Sequence, residues 1–159
     1  MVAMAAPERR LEPAASIGAL VDALHGVMSS SVQRLHPTLA REGITMGQFW
    51  ALHAVSSVDA SSPSAVARNL RVSPPTACAN LDQLESAGLV RRHRSERDRR
   101  SVRLSLTARG RKVESRVWAK IADELADAAE AIPAGDLAVA LRVFREIEQR
   151  LAADGRGSP

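Results

Sequence analysis

The amino-acid sequence predicts a mainly α-helical chain carrying one small β-hairpin. Three observations lead there. Apolar residues recur every three or four positions over most of the chain. Ser or Thr caps stand next to proline or three residues before glutamine. In one stretch only, residues 89–106, the apolar spacing switches to two. With 159 residues and 45% hydrophobic content, the chain is long enough for a single domain with its own core.

Residues 1–15 hold Pro7, Pro13 and a mixed charge cluster, and are expected to form a loose tail. From Ser16, the residues Ile17, Leu20, Val21, Leu24, Val27, Met28, Val32 and Leu35 make one continuous helical stripe, expected to end before Pro37. Thr45 with Gln48 forms a capping box for a second helix, whose interior holds Phe49, Leu52 and Val55. Ser62-Pro63 starts a short helix from Ser64 to Leu70, and Ser73-Pro74-Pro75 starts another. The latter carries Ala77, Leu81 and Leu84 on one side and should stop at Gly88.

Leu89-Val90 leads into the hairpin, and Val102, Leu104 and Leu106 alternate with Arg103 and Ser105 on the way out. Two short helices joined by a tight connection and followed by a hairpin describe a winged helix-turn-helix, placed at residues 45–106. Thr107 caps a long helix bearing Val113, Val117, Trp118, Ile121 and Leu125, which ends near Pro133. A last helix from about Gly135 to Ala152 shows Leu137, Leu141, Phe144, Ile147 and Leu151, and residues 153–159 are expected to be a second loose tail.

Charge is focused on the hairpin. Eleven of the 22 Lys and Arg lie between Arg91 and Arg116, against Glu96, Asp98 and Glu114. That segment carries +8 in a chain of net charge +4, so the remainder is net −4. A focused basic stripe releases counterions from a phosphate backbone, the electrostatic mark of nucleic-acid binding. Aromatic residues make up only 3% of the chain, which argues against base stacking on single strands and for double-stranded DNA.

Other functions find little support. Cys78 is the sole cysteine, so no internal disulfide and no cysteine-based zinc cluster is expected. His25, His36, His53 and His93 lack metal-ligand spacing, and no phosphate-cradling glycine loop or nucleophile–base arrangement stands out. No metal, no cofactor and no catalysis are therefore expected. No apolar run nears the ~18 residues of a membrane span, and no signal-peptide core is evident, which together point to the cytoplasm.

Val72-Ser73, Thr76, Leu84-Glu85, Gly88-Leu89-Val90, Arg92, Asp98-Arg99-Arg100 and Leu106-Thr107-x-x-Gly110 occur in an order and spacing that resembles the multiple antibiotic resistance regulator (MarR) family. The resemblance covers residues 16–152 and implies one domain working as a two-fold dimer. Its dimerisation helices would be residues 16–36 and 107–152, with two winged lobes below. The apolar stripes at both ends of the chain favour a shared bundle on their own account; an intramolecular three-helix bundle is the alternative.

The resemblance also implies roles for individual residues. The helix after Ser73 would enter the major groove, presenting Pro74, Pro75, Thr76, Cys78, Ala79 and Gln83. Ala79 departs from the family's usual long polar residue, and Asn80 stands where an apolar residue is expected. Asp98 would hold Arg100 toward the minor groove, while Arg97 and Arg99 meet phosphates. A small aromatic or phenolic anion would enter a crevice near His36, Phe49, Trp50 and His53 and release the DNA. The expected function is thus a dimeric repressor on a near-palindromic operator. A nonspecific DNA-coating protein, or a redox-responsive regulator acting through Cys78, are the alternatives.

Overall fold

A computed structural model describes residues 13–57, 62–94 and 102–154. They form α1 (Pro13–Glu42), α2 (Met46–Ser57), α3 (Pro63–Leu70), α4 (Pro74–Ser86), β1 (Val90–Arg94), β2 (Val102–Leu106), α5 (Ala108–Ala129) and α6 (Ala134–Asp154). The mainly α architecture with one antiparallel hairpin agrees with the expectation. The chain divides into two compact units, residues 1–121 and 122–159. The first tail is shorter than expected because α1 begins at Pro13, and α6 runs on to Asp154; the rest of both tails lies outside the described residues.

α1 does not stop before Pro37. Proline in a helix interior costs roughly 3 kcal/mol, but Leu35 and Leu39 on either side of it are buried in the lobe core together with Ile44. Covering each such side chain contributes about 1.5–3 kcal/mol, which outweighs the break. The helix closes instead at Gly43, whose φ of 68° lets its N–H reach Ala40 O at 3.1 Å while Ile44 N–H reaches Leu39 O at 3.1 Å. That is a Schellman end, with the buried Leu39–Ile44 pair as its hydrophobic contact.

The same ending recurs twice in the winged lobe. At the end of α4, Gly88 (φ 69°) donates to Glu85 O at 2.9 Å and Leu89 to Leu84 O at 2.9 Å. At the end of α3 the left-handed position is held by Arg71 at φ 53°, with Val72 N–H on Ala67 O at 3.1 Å. Helix starts follow the expected caps: Thr45 and Gln48 exchange bonds of 2.7 and 3.2 Å, and Ser62 Oγ accepts from Ala65 N–H at 3.2 Å.

The lobe core joins Phe49, Leu52, Val66, Leu81, Leu84 and Leu89 to Val90, Leu104 and Leu106 on the inner face of the hairpin and to Val113 and Val117 of α5. Thr107 locks the hairpin to α5. Its hydroxyl donates to Gly88 O at 2.7 Å and accepts from Gly110 N–H at 2.9 Å. Gly110 lies so close to the backbone just before β1 that an added Cβ would sit 2.0 Å from Leu89 O. The Leu-Thr-x-x-Gly run is thus a cap plus a close backbone crossing.

Candidate nucleic-acid interface

α4 is positioned by α2, α3 and β1, and its first turn is unusual in its donors. Pro74 and Pro75 carry no N–H, Thr76 N–H goes to Ser73 Oγ at 3.3 Å, and Ala77 N–H goes to Ser73 O at 3.1 Å. A helix N-terminus ordinarily offers free backbone donors to phosphate; this one has placed all of its own. What it can present is the Thr76 hydroxyl, 2.7 Å from Ser73 Oγ, and the apolar edges of Pro74, Pro75 and Ala79.

Ser73, Pro74, Pro75, Thr76, Ala79 and Gln83 are exposed, whereas Cys78, expected on the exposed face, is half-buried. Gln83 Oε1 accepts from Gln48 Nε2, the same side chain that caps α2. That bond takes one of the two lone pairs of the Gln83 amide oxygen and ties the side chain to α2. Asn80 is half-buried, with Gly47 of α2 close by.

The hairpin pairs Val90 with Leu106, Arg91 with Ser105, Arg92 with Leu104, His93 with Arg103 and Arg94 with Val102. Alternation therefore puts Arg91, His93, Arg103 and Ser105 on the face away from the core. Arg92 points inward and is tied to α4: its Nη1 lies 2.5 Å from Asp82 Oδ1 and 3.5 Å from Glu85 Oε2, and its N–H donates to Glu85 Oε1 at 3.2 Å. Arg97, Asp98, Arg99 and Arg100, expected at the wing tip, lie outside the described residues.

The basic stripe is thus less uniform than its sequence suggests. Arg109 donates to Ala87 O at 3.0 Å, Arg111 donates to Leu106 O at 2.9 Å, and Arg116 pairs with Glu42. Together with Arg92, these side chains hold the lobe together. Arg91, Arg103 and Lys112 are exposed. No spacing rule separates the two groups, because the partners Asp82 and Glu42 are distant in sequence.

Of the four residues expected to line a ligand crevice, three bring their rings together, Phe49 lying 5.2 Å from Trp50 and 6.1 Å from His53 by centroids, and Trp118 of α5 joins them. His53 stacks on Trp118 with centroids 4.4 Å apart and planes 6° from parallel, and Trp50 meets His53 edge-on at 6.1 Å. His53 Nδ1 lies 2.8 Å from Glu114 Oε1 of α5. Phe49 has no exposed surface and belongs to the core that backs these rings. His36 is exposed on α1. Trp118 was not among the residues expected here; its spacing of four from Glu114 on α5 is the signal that places both on one helix face.

Among the described residues, no group of three or more His, Cys, Asp or Glu could hold a metal ion, and no helix is long and apolar enough to cross a membrane.

A capped helix packed across two others and followed by a hairpin with a basic outer face defines a winged helix-turn-helix DNA-binding protein. A family model described as "MarR family" matches residues 42–101. The HTH-type transcriptional repressor Rv2887 of Mycobacterium tuberculosis is 34% identical over 113 residues, which span 70% of this chain and 78% of that protein. The fold is shared with a MarR family protein from Bacillus stearothermophilus (TM-score 0.74, 23% identity, 89% of this chain and 99% of that one). It is also shared with Staphylococcus aureus MarR in complex with salicylate and kanamycin (TM-score 0.76, 19% identity, 86% and 92%). The chain belongs to the MarR family of DNA-binding, non-enzymatic transcription regulators.

Proposed function

We propose that the protein is a homodimeric repressor that grips a near-palindromic operator and lets go when a small aromatic anion binds. The observation that carries this reading is the pairing of α4, with its short polar and apolar side chains outward, with a hairpin whose outer face bears Arg91, His93 and Arg103. α4 reads base edges in the major groove through Thr76, Pro75 and Ala79, and the arginines engage the backbone. Because direct readout by such short side chains is modest, Arg97, Asp98, Arg99 and Arg100 of the wing supply a large share of affinity.

Dimerisation rests on the bare apolar faces of α1 and α6, which mark an interaction surface. Two-fold symmetry sets the lobes about 34 Å apart, one helical turn of DNA. Residues 16–36 and 107–152 serve that contact and residues 45–106 serve DNA.

For the effector, the salicylate bound to the Staphylococcus aureus relative indicates the chemical class. The half-exposed Trp50, His53 and Trp118 rings offer a surface on which a flat anion can stack.

Competition binding tests the whole. A selected near-palindrome should be preferred over bulk DNA by at least ~10³, as specific regulators require, with two chains per site, and salicylate should weaken the complex. Preference well below that level would favour a DNA-coating role.

A further inference from the structure

We propose that Arg92 is a positioning residue for DNA recognition: held by Asp82 and Glu85, it sets the angle of the wing on α4. The inference rests on the reading of α4 and the wing as the two elements that touch DNA.

Asp82 and Glu85 are three residues apart on α4 and so stand one above the other on the same face. Arg92 meets both. Glu85 straddles the strand, one oxygen taking the Arg92 N–H at 3.2 Å and the other facing the guanidinium at 3.5 Å, while Asp82 holds Nη1 at 2.5 Å. The N–H that Glu85 takes belongs to a two-stranded sheet in which, among the described residues, no third strand accepts it. Backbone and side chain of one wing residue are thereby fastened to the helix that enters the major groove.

Fold stability alone does not ask for arginine at this position. Its Nε is buried and has no hydrogen-bond partner, and an apolar residue of similar length would avoid that penalty while covering Leu104. What an apolar residue cannot do is fix a direction. An isolated two-stranded hairpin is marginal and free to twist, so a tie at its base governs where the rest of the wing points. A helix in one groove and a wing beside it must be held at a set angle to bind a single duplex geometry well.

The test is a pair of variants whose charge effect opposes the positioning effect. Asp82→Asn combined with Glu85→Gln keeps the shape and the acceptor oxygens but removes two negative charges. Bulk attraction then predicts tighter binding to every duplex. Positioning predicts the reverse for the preferred site. With a duplex selected from a randomised library by the parental protein, affinity should fall at least fivefold. On a scrambled duplex of the same composition it should hold or rise, so the ratio of the two falls at least fivefold. Arg92→Lys keeps the net charge but lacks the planar fork, and should give an intermediate fall in that ratio.

An unchanged ratio in both variants overturns the proposal, including the case in which stability drops and both affinities fall together, as a merely structural role would give. If the double variant does not unfold cooperatively, the ratio measured for Arg92→Lys decides alone. Arg100→Ala run in parallel separates the levels. Loss of affinity there with no change in the clamp variants rejects the clamp only; no loss in Arg100→Ala rejects the wing reading on which it stands.

Discussion

The winged lobe and the terminal helices use the same kinds of apolar residue at the same helical spacing, yet they meet different fates within one chain. In the lobe, Phe49, Leu52 and Leu81 are wholly covered, whereas Ile17, Val21, Leu24, Val27, Met28 and Val32 along α1 are 43–62% exposed. On α6, Leu137, Leu141, Phe144, Ile147 and Leu151 are exposed as well. A periodic apolar stripe thus says that a face will be covered and says nothing about what covers it. The lobe closes because α2, α3, α4 and the hairpin converge on one centre; α1 outside its last turns and α6 call for a second surface.

The contrast breaks most sharply where the lobe is tightest. Gly110→Ala should destabilise the lobe by at least about 3 kcal/mol, although alanine is the better helix former. The new Cβ would meet the Leu89 carbonyl, which is backbone and has nowhere to move. The urea midpoint should fall accordingly; an unchanged midpoint would mean that the crossing of α5 over Leu89 is looser than described. A substitution on the open face should act on association instead. Leu24→Asp should weaken dimerisation at least a hundredfold, about 2.7 kcal/mol, as read by sedimentation across protein concentration. Persistence of the dimer at unchanged affinity would remove α1 from the interface.

What could be read from sequence, and what could not, follows the range of the forces involved. Caps at Thr45, Ser62, Ser73 and Thr107 were legible because each satisfies N–H groups within the next three residues. Gly88 was legible as a stop because the left-handed φ that it takes is equally local. Pro37 misled, since its cost is local while the burial of Leu35, Leu39 and Ile44 that offsets it is tertiary. The inward turn of Arg92 and the stacking of His53 on Trp118 join residues 10 and 65 positions apart. Only the packed lobe brings such partners together, so a basic run looked like one continuous DNA-facing stripe when part of it braces the fold. Phe49 fits both the interior of α2 and a crevice lining by sequence, and it is wholly covered in the lobe.

A smaller effect distinguishes pre-organisation from bulk charge at the wing. Arg100→Ala should weaken operator binding more than tenfold, about 1.4 kcal/mol, with the dimer intact. Asp98→Ala should do nearly as much harm even though it makes the protein more positive. Tighter binding by Asp98→Ala, measured by titration at fixed salt, would show that attraction alone governs the wing.

The smallest expected effect lies inside the lobe, at the one described non-glycine residue with positive φ. Arg71 occupies the left-handed position that Gly43 and Gly88 fill at the other two Schellman ends. An L-residue with a Cβ pays about 1 kcal/mol there, so Arg71→Gly should raise stability by up to about that amount. Arg71 is also exposed in the turn that joins α3 to α4, next to the end of α4 proposed to meet DNA. Because the first turn of α4 has no free backbone donor for phosphate, a cation at the neighbouring turn is the natural substitute. Arg71→Gly should therefore unfold at higher urea and bind both selected and scrambled duplexes a few-fold more weakly, with a shallower dependence on salt. Gain of stability with unaltered DNA binding would make the strained arginine a cost without a function, and the turn would then be no different from the glycine-closed ends.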